Sequence, residues 1–178
     1  PSAPSTGAIT ARSQTTLTAG WTFSLGTSSY TFVASTAPDN PPVAVVGSSV
    51  TADLSGTVNA LTPNTTYFGF VNACNGAGCS AYRAVGSTVT WANPSLSLST
   101  TTMGTLSATL IWDSNSNPAG TVYVVETATE PGGSYTVSFS TVEVTALLTG
   151  LSPGTPACYR VVANSWDNVP TTPSNELC

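Results

Sequence analysis

Two stretches of the chain alternate apolar and polar residues with a period of two, the pattern of a β-strand half-buried in a sheet. The apolar positions that share one face are Leu17, Ala19, Trp21 and Phe23 in the first stretch, and Leu106, Ala108, Leu110 and Trp112 in the second. Each stretch is therefore predicted to be a strand whose apolar side lines a core.

Shorter runs of β-branched and aromatic residues, separated by Gly, Pro, Asn and Ser, predict the remaining strands. In the first half they cover residues 5–12, 30–34, 43–46, part of 48–60, 65–74 and 79–90. In the second half they cover residues 122–126, 135–139 and 142–148. The pattern indicates an all-β protein, and no apolar run approaches the ~18 residues that span a membrane.

The second half of the chain repeats the first at a distance of about 90 residues. Trp21 recurs as Trp112, and Leu61, Pro63 and Thr65 recur as Leu151, Pro153 and Thr155. The repeat predicts two domains, residues 1–91 and 92–178. The link around Asn93-Pro94 is short and contains a proline, so we expect a semi-rigid connection and a rod-like pair.

The segment 61–79, LTPNTTYFGFVNACNGAGC, resembles the E–F corner, F strand and F–G turn of a fibronectin type III domain. The resemblance implies two tandem immunoglobulin-like sandwiches of about seven antiparallel strands each. It places Trp21 and Tyr67 in the first core, with the Tyr67 hydroxyl returning to the corner backbone. The turn at residues 117–120, Asn-Pro-Ala-Gly, brings the resemblance closer to bacterial and archaeal surface repeats than to animal matrix proteins.

The second copy departs from this pattern at its corner. Trp112 keeps the core position, but Ala157 stands where the first copy has Tyr67, and the aromatic residue appears two positions later as Tyr159. Residues two apart in a strand share a face. The corner hydrogen bond is thus in question for this copy, whereas the Tyr159 ring can still fill the core.

The four cysteines fall on the predicted F and G strands of the two copies. Cys74 and Cys79 flank one F–G turn, and Cys158 and Cys178 are placed symmetrically about the other, so each pair is expected to form a disulfide across its hairpin. A zinc site and free or intermolecular thiols are the alternatives. Two disulfides would indicate an oxidising compartment and an extracellular or cell-surface protein.

The low charge of the chain excludes several functions. Charged residues are 6% of the sequence, against roughly 25% in ordinary soluble domains, and the only cations are Arg12, Arg83 and Arg160. Binding to nucleic acid, which depends on clustered Lys and Arg, is not expected. With neither Lys nor His, the common general bases and Schiff-base chemistry are missing too.

The eight acidic residues are dispersed and form no calcium-loop motif. Their number alone leaves a glycosidase-like pair of carboxylates open, but no catalytic motif is recognisable. We expect no enzyme, no cofactor and no metal.

Candidate contact residues are aromatic. Alternation along 67–73 points Phe68 and Phe70 to the outer face of the sheet, where they would form an adhesive stripe; alternatively, Gly69 marks a bulge and the rings turn into the core. Trp91 in the link and Trp166 on the second F–G turn are further candidates, with an interdomain plug and cover for a sheet edge as their structural alternatives. Asn64 begins a glycosylation sequon.

These observations favour a non-enzymatic extracellular structural protein, a subunit or segment of a surface fibre, stalk or adhesin. Its partners would be copies of itself or neighbouring domains, joined through edge strands and exposed aromatic residues. The alternative is a spacer or weak carbohydrate-binding module of a secreted polysaccharide-degrading enzyme. That alternative needs an exposed aromatic platform, for which Phe68, Phe70 and Trp166 are the candidates.

Overall fold

The computed structural model describes residues 1–178, which divide into two compact units, Pro1–Trp91 and Ala92–Cys178. All regular structure is β, and every strand pairing is antiparallel. The structure contains no helix long and apolar enough to cross a membrane.

Unit 1 is a sandwich of two sheets. The first sheet has the order β1 (Gly7–Arg12), β2 (Leu17–Trp21), β5 (Ser55–Val58). The second has the order β4 (Val45–Thr51), β3 (Ser29–Ser35), β6 (Thr66–Asn75), and β6 also pairs with β7 (Gly78–Cys79) and β8 (Arg83–Val89). The predicted G strand is therefore interrupted at residues 80–82, and the C′ strand β4 is longer than its sequence pattern suggested.

The core of unit 1 forms where the alternating faces of the two sheets meet. Leu17, Ala19 and Trp21 of β2 are at most 7% exposed. The Trp21 ring lies 5.6 Å from that of Tyr30 and 5.9 Å from that of Phe32, both on β3. Aromatic rings at these separations add to the stabilisation that comes from burial alone.

Unit 2 repeats this arrangement. One sheet has the order β13 (Thr145–Thr149), β10 (Ser107–Asp113), β9 (Leu96–Met103). The other has the order β12 (Thr136–Thr141), β11 (Val122–Ala128), β14 (Cys158–Asn164). Trp112 is 3% exposed, and its ring packs edge-on against Tyr123 at 5.7 Å.

The G segment of unit 2 is irregular, although it runs beside β14. Backbone bonds join Thr171 N to Ala163 O, Ser174 N to Val161 O, and Tyr159 to Leu177 in both directions. Pro170 and Pro173 carry no N–H and cannot continue a ladder, which accounts for the broken strand.

The alternating pattern in the sequence extends beyond the ends of both β2 and β10. Phe23 is 64% exposed and Leu106 is 55% exposed, so neither joins the core as predicted. In unit 1 the reason is visible at the next residue, because the Ser24 N–H donates to the Tyr30 hydroxyl over 2.9 Å. This bond fixes the chain beyond the end of β2 and leaves the Phe23 side chain in solvent.

Candidate functional site

Both disulfides join an F strand to the segment that follows it. Cys74–Cys79 connects β6 to β7 beside the F–G turn, whereas Cys158–Cys178 lies at the opposite end of its hairpin, where β14 begins. No cysteine is free. Glu176 lies near Cys158 and Cys178, but sulfurs joined to each other are not the thiolates that bind zinc.

The predicted aromatic stripe on the outer face of unit 1 is not exposed. Phe70 does point away from the core between the sheets, yet it is only 2% exposed, and Phe68 is half-buried. In the connection between β3 and β4, the Asn40 side chain donates to Tyr82 O over 3.1 Å. Since β6 lies between β3 and β8, this connection has to cross β6 to reach Tyr82.

The alternative prediction, a bulge at Gly69 that turns the Phe rings inward, holds for the irregularity but not for the Phe70 ring. The irregularity lies opposite Gly69 and Phe70, where β8 carries the extra residue Val85. Gly69 itself faces the core, and a Cβ atom there would lie 2.8 Å from the Val85 side chain and 3.1 Å from Phe32. Only glycine fits this close approach.

Unit 2 carries charged groups at the corresponding outer position, where Arg160 replaces Phe70. The Arg160 Nε donates to Glu126 across 2.6 Å, and its guanidinium lies 4.0 Å above the Tyr135 ring. Glu176 accepts hydrogen bonds from the Tyr135 hydroxyl at 2.6 Å and from Gly132 N at 3.0 Å. The cluster therefore ties the connection between β11 and β12 both to β14 and to the segment that follows it.

The Tyr135–Glu176 bond shifts the pKa of both partners. Partial burial, followed by the bond to Glu176, raises the pKa of Tyr135 to about 12. The bond from Tyr135, followed by that from Gly132, lowers the pKa of Glu176 below its usual value. The folded state therefore favours a protonated Tyr135 and an ionised Glu176.

We expect Glu176→Gln and Tyr135→Phe to reduce the pH dependence of unfolding of unit 2. The contribution of Glu176 is present above its unfolded pKa and is lost as the pH falls through the lowered folded value. The contribution of Tyr135 is present below its unfolded pKa and is lost as the pH rises towards about 12. Thermal unfolding followed across pH should show wild type and variants differing near neutrality and converging at both extremes. Equal differences at every pH would contradict this.

The two predicted Trp contacts are partly exposed. Trp91 is 39% exposed; its backbone N–H donates to Ser13 O and its carbonyl accepts from Asn64 N. Trp166 is 47% exposed. Asn64 is fully buried, with a positive φ of 45°. A glycan cannot be attached to this side chain unless the corner first opens.

The E–F corner differs between the units in a way that creates a pocket. In unit 1 the Tyr67 ring is 2% exposed, and its hydroxyl accepts from Thr62 N at 2.9 Å. In unit 2 Ala157 provides neither ring nor hydroxyl. The turn is closed by a backbone bond from Thr155 N to Ser152 O, and the space beneath it is open.

This opening, the corner pocket, has a volume of about 610 Å³ and no charged residue in its lining. Its apolar walls are Ala108, Leu110, Leu148, Leu151, Tyr159 and Leu177. A second opening of about 350 Å³ shares Leu148, Leu151 and Tyr159 with it. The predicted core residue Tyr159 is thus only partly buried and forms a wall of both openings.

The pocket exists because unit 2 has smaller side chains than unit 1 at two corresponding positions of the core. In unit 1, Tyr67 belongs to the same core cluster as Leu17, Val58 and Leu61. Unit 2 has Ala108 in place of Leu17 and Ala157 in place of Tyr67, while Tyr159 replaces Gly69. The aromatic ring has moved two residues towards the middle of the strand, and the corner end of the sandwich is left unfilled.

Unit 1 carries the opposite feature, a short apolar loop formed by residues 23–25. Phe23 is 64% and Leu25 is 85% exposed, whereas Ser24 between them is 4% exposed. The loop is held on both sides, because the Asn75 side chain donates to Gly26 O over 2.7 Å and Ser28 N donates to Cys74 O over 2.9 Å. Sequence reasoning placed Phe23 in the core and missed both the apolar loop and the corner pocket. The signal for the pocket was the pair of alanines at 108 and 157.

Two of the three arginines are engaged within their own units. Arg12 donates to the Thr88 hydroxyl at 2.6 Å and to Val89 O at 2.9 Å, which ties β1 to β8. Arg160 is held by Glu126. The structure therefore presents no cluster of cations for phosphate groups.

No family model matches the chain, and no curated protein matches its sequence. Among the solved structures that match is a segment of two fibronectin type III domains from chicken tenascin. It aligns with a TM-score of 0.61 over 98% of this chain and 96% of that one, at 17% sequence identity. Likeness at this level of identity concerns the fold. The chain is thus built as tandem β-sandwiches of the fibronectin type III type.

Proposed function

We propose that this protein is a non-catalytic extracellular structural subunit that assembles with copies of itself into a fibre or stalk, as in prokaryotic surface proteins. The observation that carries the proposal is the edge strand β4. It has the sequence VVGSSVT, without a charge or a proline, and Val45, Val46 and Val50 are 46%, 52% and 69% exposed. Proteins that must stay monomeric generally protect such edges with charges or prolines.

The composition of the chain supports the same function. Only 6% of the residues are charged, so few ions lose water when the surfaces of two copies meet. Both units are closed by disulfides, which persist in oxidising surroundings.

The β4 edge gives a direct test. Val50 lies in the regular part of the strand, opposite Thr31, and its side chain points into solvent. We expect Val50→Lys to leave the stability of unit 1 within about 0.5 kcal/mol of wild type, as for other surface changes, and to weaken lateral association. Electron microscopy of the purified chain at increasing concentration measures this.

Val43→Lys is the matched control, because Val43 is 72% exposed but lies outside the strand. A wild-type chain that stays monomeric at every concentration would overturn the proposed function. Filaments that form equally with Val50→Lys would remove β4 from the contact.

The alternative function as a carbohydrate-binding accessory module has less support. It requires aromatic rings side by side in solvent, and Phe70, the central candidate, is buried. A binding assay with soluble polysaccharides, with Trp166→Ala as the variant, would test what remains of it.

A further inference from the structure

We propose that the apolar loop of one copy inserts into the corner pocket of another, with Phe23 occupying the space that Tyr67 fills in unit 1. This inference rests on the proposed function and names the partner surface, a second copy of the same chain. It explains two features together: an apolar pair held out in solvent, and a sandwich core left open at its corner.

The pocket suits an apolar side chain better than a polar ligand. Its volume of about 610 Å³ falls within the range of about 300–1,000 Å³ that is usual for binding sites. No charged side chain lines the pocket. An apolar group can therefore enter it without the cost of removing water from an ion. Unit 1 shows that an aromatic ring fits at the corresponding place, because Tyr67 is only 2% exposed there.

The loop is organised in advance for insertion. Phe23 and Leu25 flank a residue whose N–H is bonded to the buried Tyr30 hydroxyl. The adjoining Gly26 carbonyl is held by Asn75, next to the Cys74–Cys79 disulfide. Because the loop is fixed before contact, little conformational entropy is lost on binding. No charged residue lies in the segment 22–28, TFSLGTS, so the loop and the pocket match in polarity.

Each feature lies at the end of its unit away from the link. In unit 1 the loop follows the C-terminal end of β2, whereas Trp91 is bonded to Ser13, before the N-terminal end of the same strand. In unit 2 the pocket lies where β14 begins, whereas Ala92 N is bonded to the Ser165 side chain, just past the end of β14. A contact between loop and pocket therefore does not involve the link residues Trp91 and Ala92.

The contact joins two different surfaces. Such a contact either repeats from copy to copy as an open filament or a closed ring, or it is made twice within a reciprocal two-fold pair. Two inserted side chains are too few for a stable interface of about 1,000 Å² or more. They would act as its buried centre, with the surrounding loops excluding water.

Two variants separate the two halves of the contact. Phe23→Ser with Leu25→Ser removes the apolar loop and keeps the pocket, and Ala157→Tyr fills the pocket and keeps the loop. Should Ala157→Tyr fail to fold, Ala108→Leu fills the pocket from the opposite wall with the residue that unit 1 has there. The control is Val43→Ser with Val142→Ser, which removes two other exposed apolar side chains, at 72% and 51% exposure, that line neither opening.

Sedimentation velocity of the full chain over a range of concentrations is the measurement, with circular dichroism to verify folding. We expect each variant alone to associate roughly 30-fold or more weakly than wild type, as for the loss of a hot-spot residue, and the control to associate like wild type. An equimolar mixture of the two variants should form a one-to-one dimer that does not grow, because one functional loop meets one functional pocket.

Wild-type assemblies that persist in both variants would overturn this contact and leave the proposed function standing. A mixture of folded variants that stays monomeric would also overturn it. A wild-type chain that never associates would overturn the proposed function, and this contact with it.

Discussion

Replacing Cys158 and Cys178 by alanine together is expected to lower the free energy of unfolding of unit 2 by about 3 kcal/mol. The disulfide closes a loop with a sequence separation of 20 residues, and the lost cross-link enlarges the ensemble of unfolded chains. Alanine is the suitable replacement because Cys158 is fully buried, and serine would place an additional hydroxyl there. For a domain of this size the midpoint of thermal unfolding should fall by roughly 12–24 °C.

The matched control is the same double replacement of Cys74 and Cys79. That bond has a sequence separation of 5, so the expected loss in unit 1 is smaller, about 2 kcal/mol. Hydrogen exchange gives a second readout, since Tyr159 and Leu177 bond to each other through their backbones and should lose protection only in the unit 2 variant. A unit 2 transition unchanged by the replacement would contradict this account.

The disulfide also shapes the candidate site. Leu177 and Cys178 line the corner pocket, and the segment that carries them is held to β14 by an irregular set of backbone bonds instead of a full ladder. Without the sulfur bridge this wall is expected to separate from β14. The cross-link that stabilises unit 2 is therefore also the part of the structure that keeps its open corner in one shape.

The fold could be predicted because its determinants are local in sequence. Alternation identified β2 and β10, and the turn residues around the Leu-x-Pro-x-Thr corners identified where strand F starts, so the tandem sandwich followed from the repeat. The ends of the strands could not be predicted in this way. Phe23 continues the apolar alternation, but the Ser24 bond to Tyr30 depends on a partner six residues away whose position only the fold defines.

The candidate site was harder to predict, because the exposure of a side chain depends on which other segments of the fold pack over it. The alternation placed Phe70 on the outer face correctly, but it did not predict that the side chain is buried there. The bond from Asn40 to Tyr82 is a contact between two loops that no period in the sequence reveals. The corner pocket was in principle accessible, since Ala157 in place of Tyr67 was evident from the repeat. It was missed because Tyr159 was assumed to fill the same space, whereas two residues along a strand displace a ring by more than 6 Å, at about 3.3 Å per residue.

Exchanging the corner residues between the repeats should move the stability of the two units in opposite directions. Tyr67→Ala is expected to destabilise unit 1 by about 3–5 kcal/mol, as for other large aromatic side chains removed from a core. Tyr67→Phe keeps the ring and loses only the bond from Thr62 N, so its expected cost is about 1 kcal/mol. The difference between the two variants measures what the ring contributes apart from its hydroxyl.

The reciprocal change, Ala157→Tyr, should stabilise unit 2 by about 0.5–2 kcal/mol, the usual gain from filling a cavity. Ala157→Phe is the matched control, because it fills the pocket without offering an acceptor to Ser152 N. Calorimetry should show the unit 2 transition rising in both variants, and further in the tyrosine variant, while the unit 1 transition stays unchanged. A neutral or destabilising Ala157→Tyr would mean that Tyr159 already occupies the corner space. A stabilised variant that no longer assembles would show that the open corner sacrifices stability for a contact between copies, a trade-off familiar at functional sites.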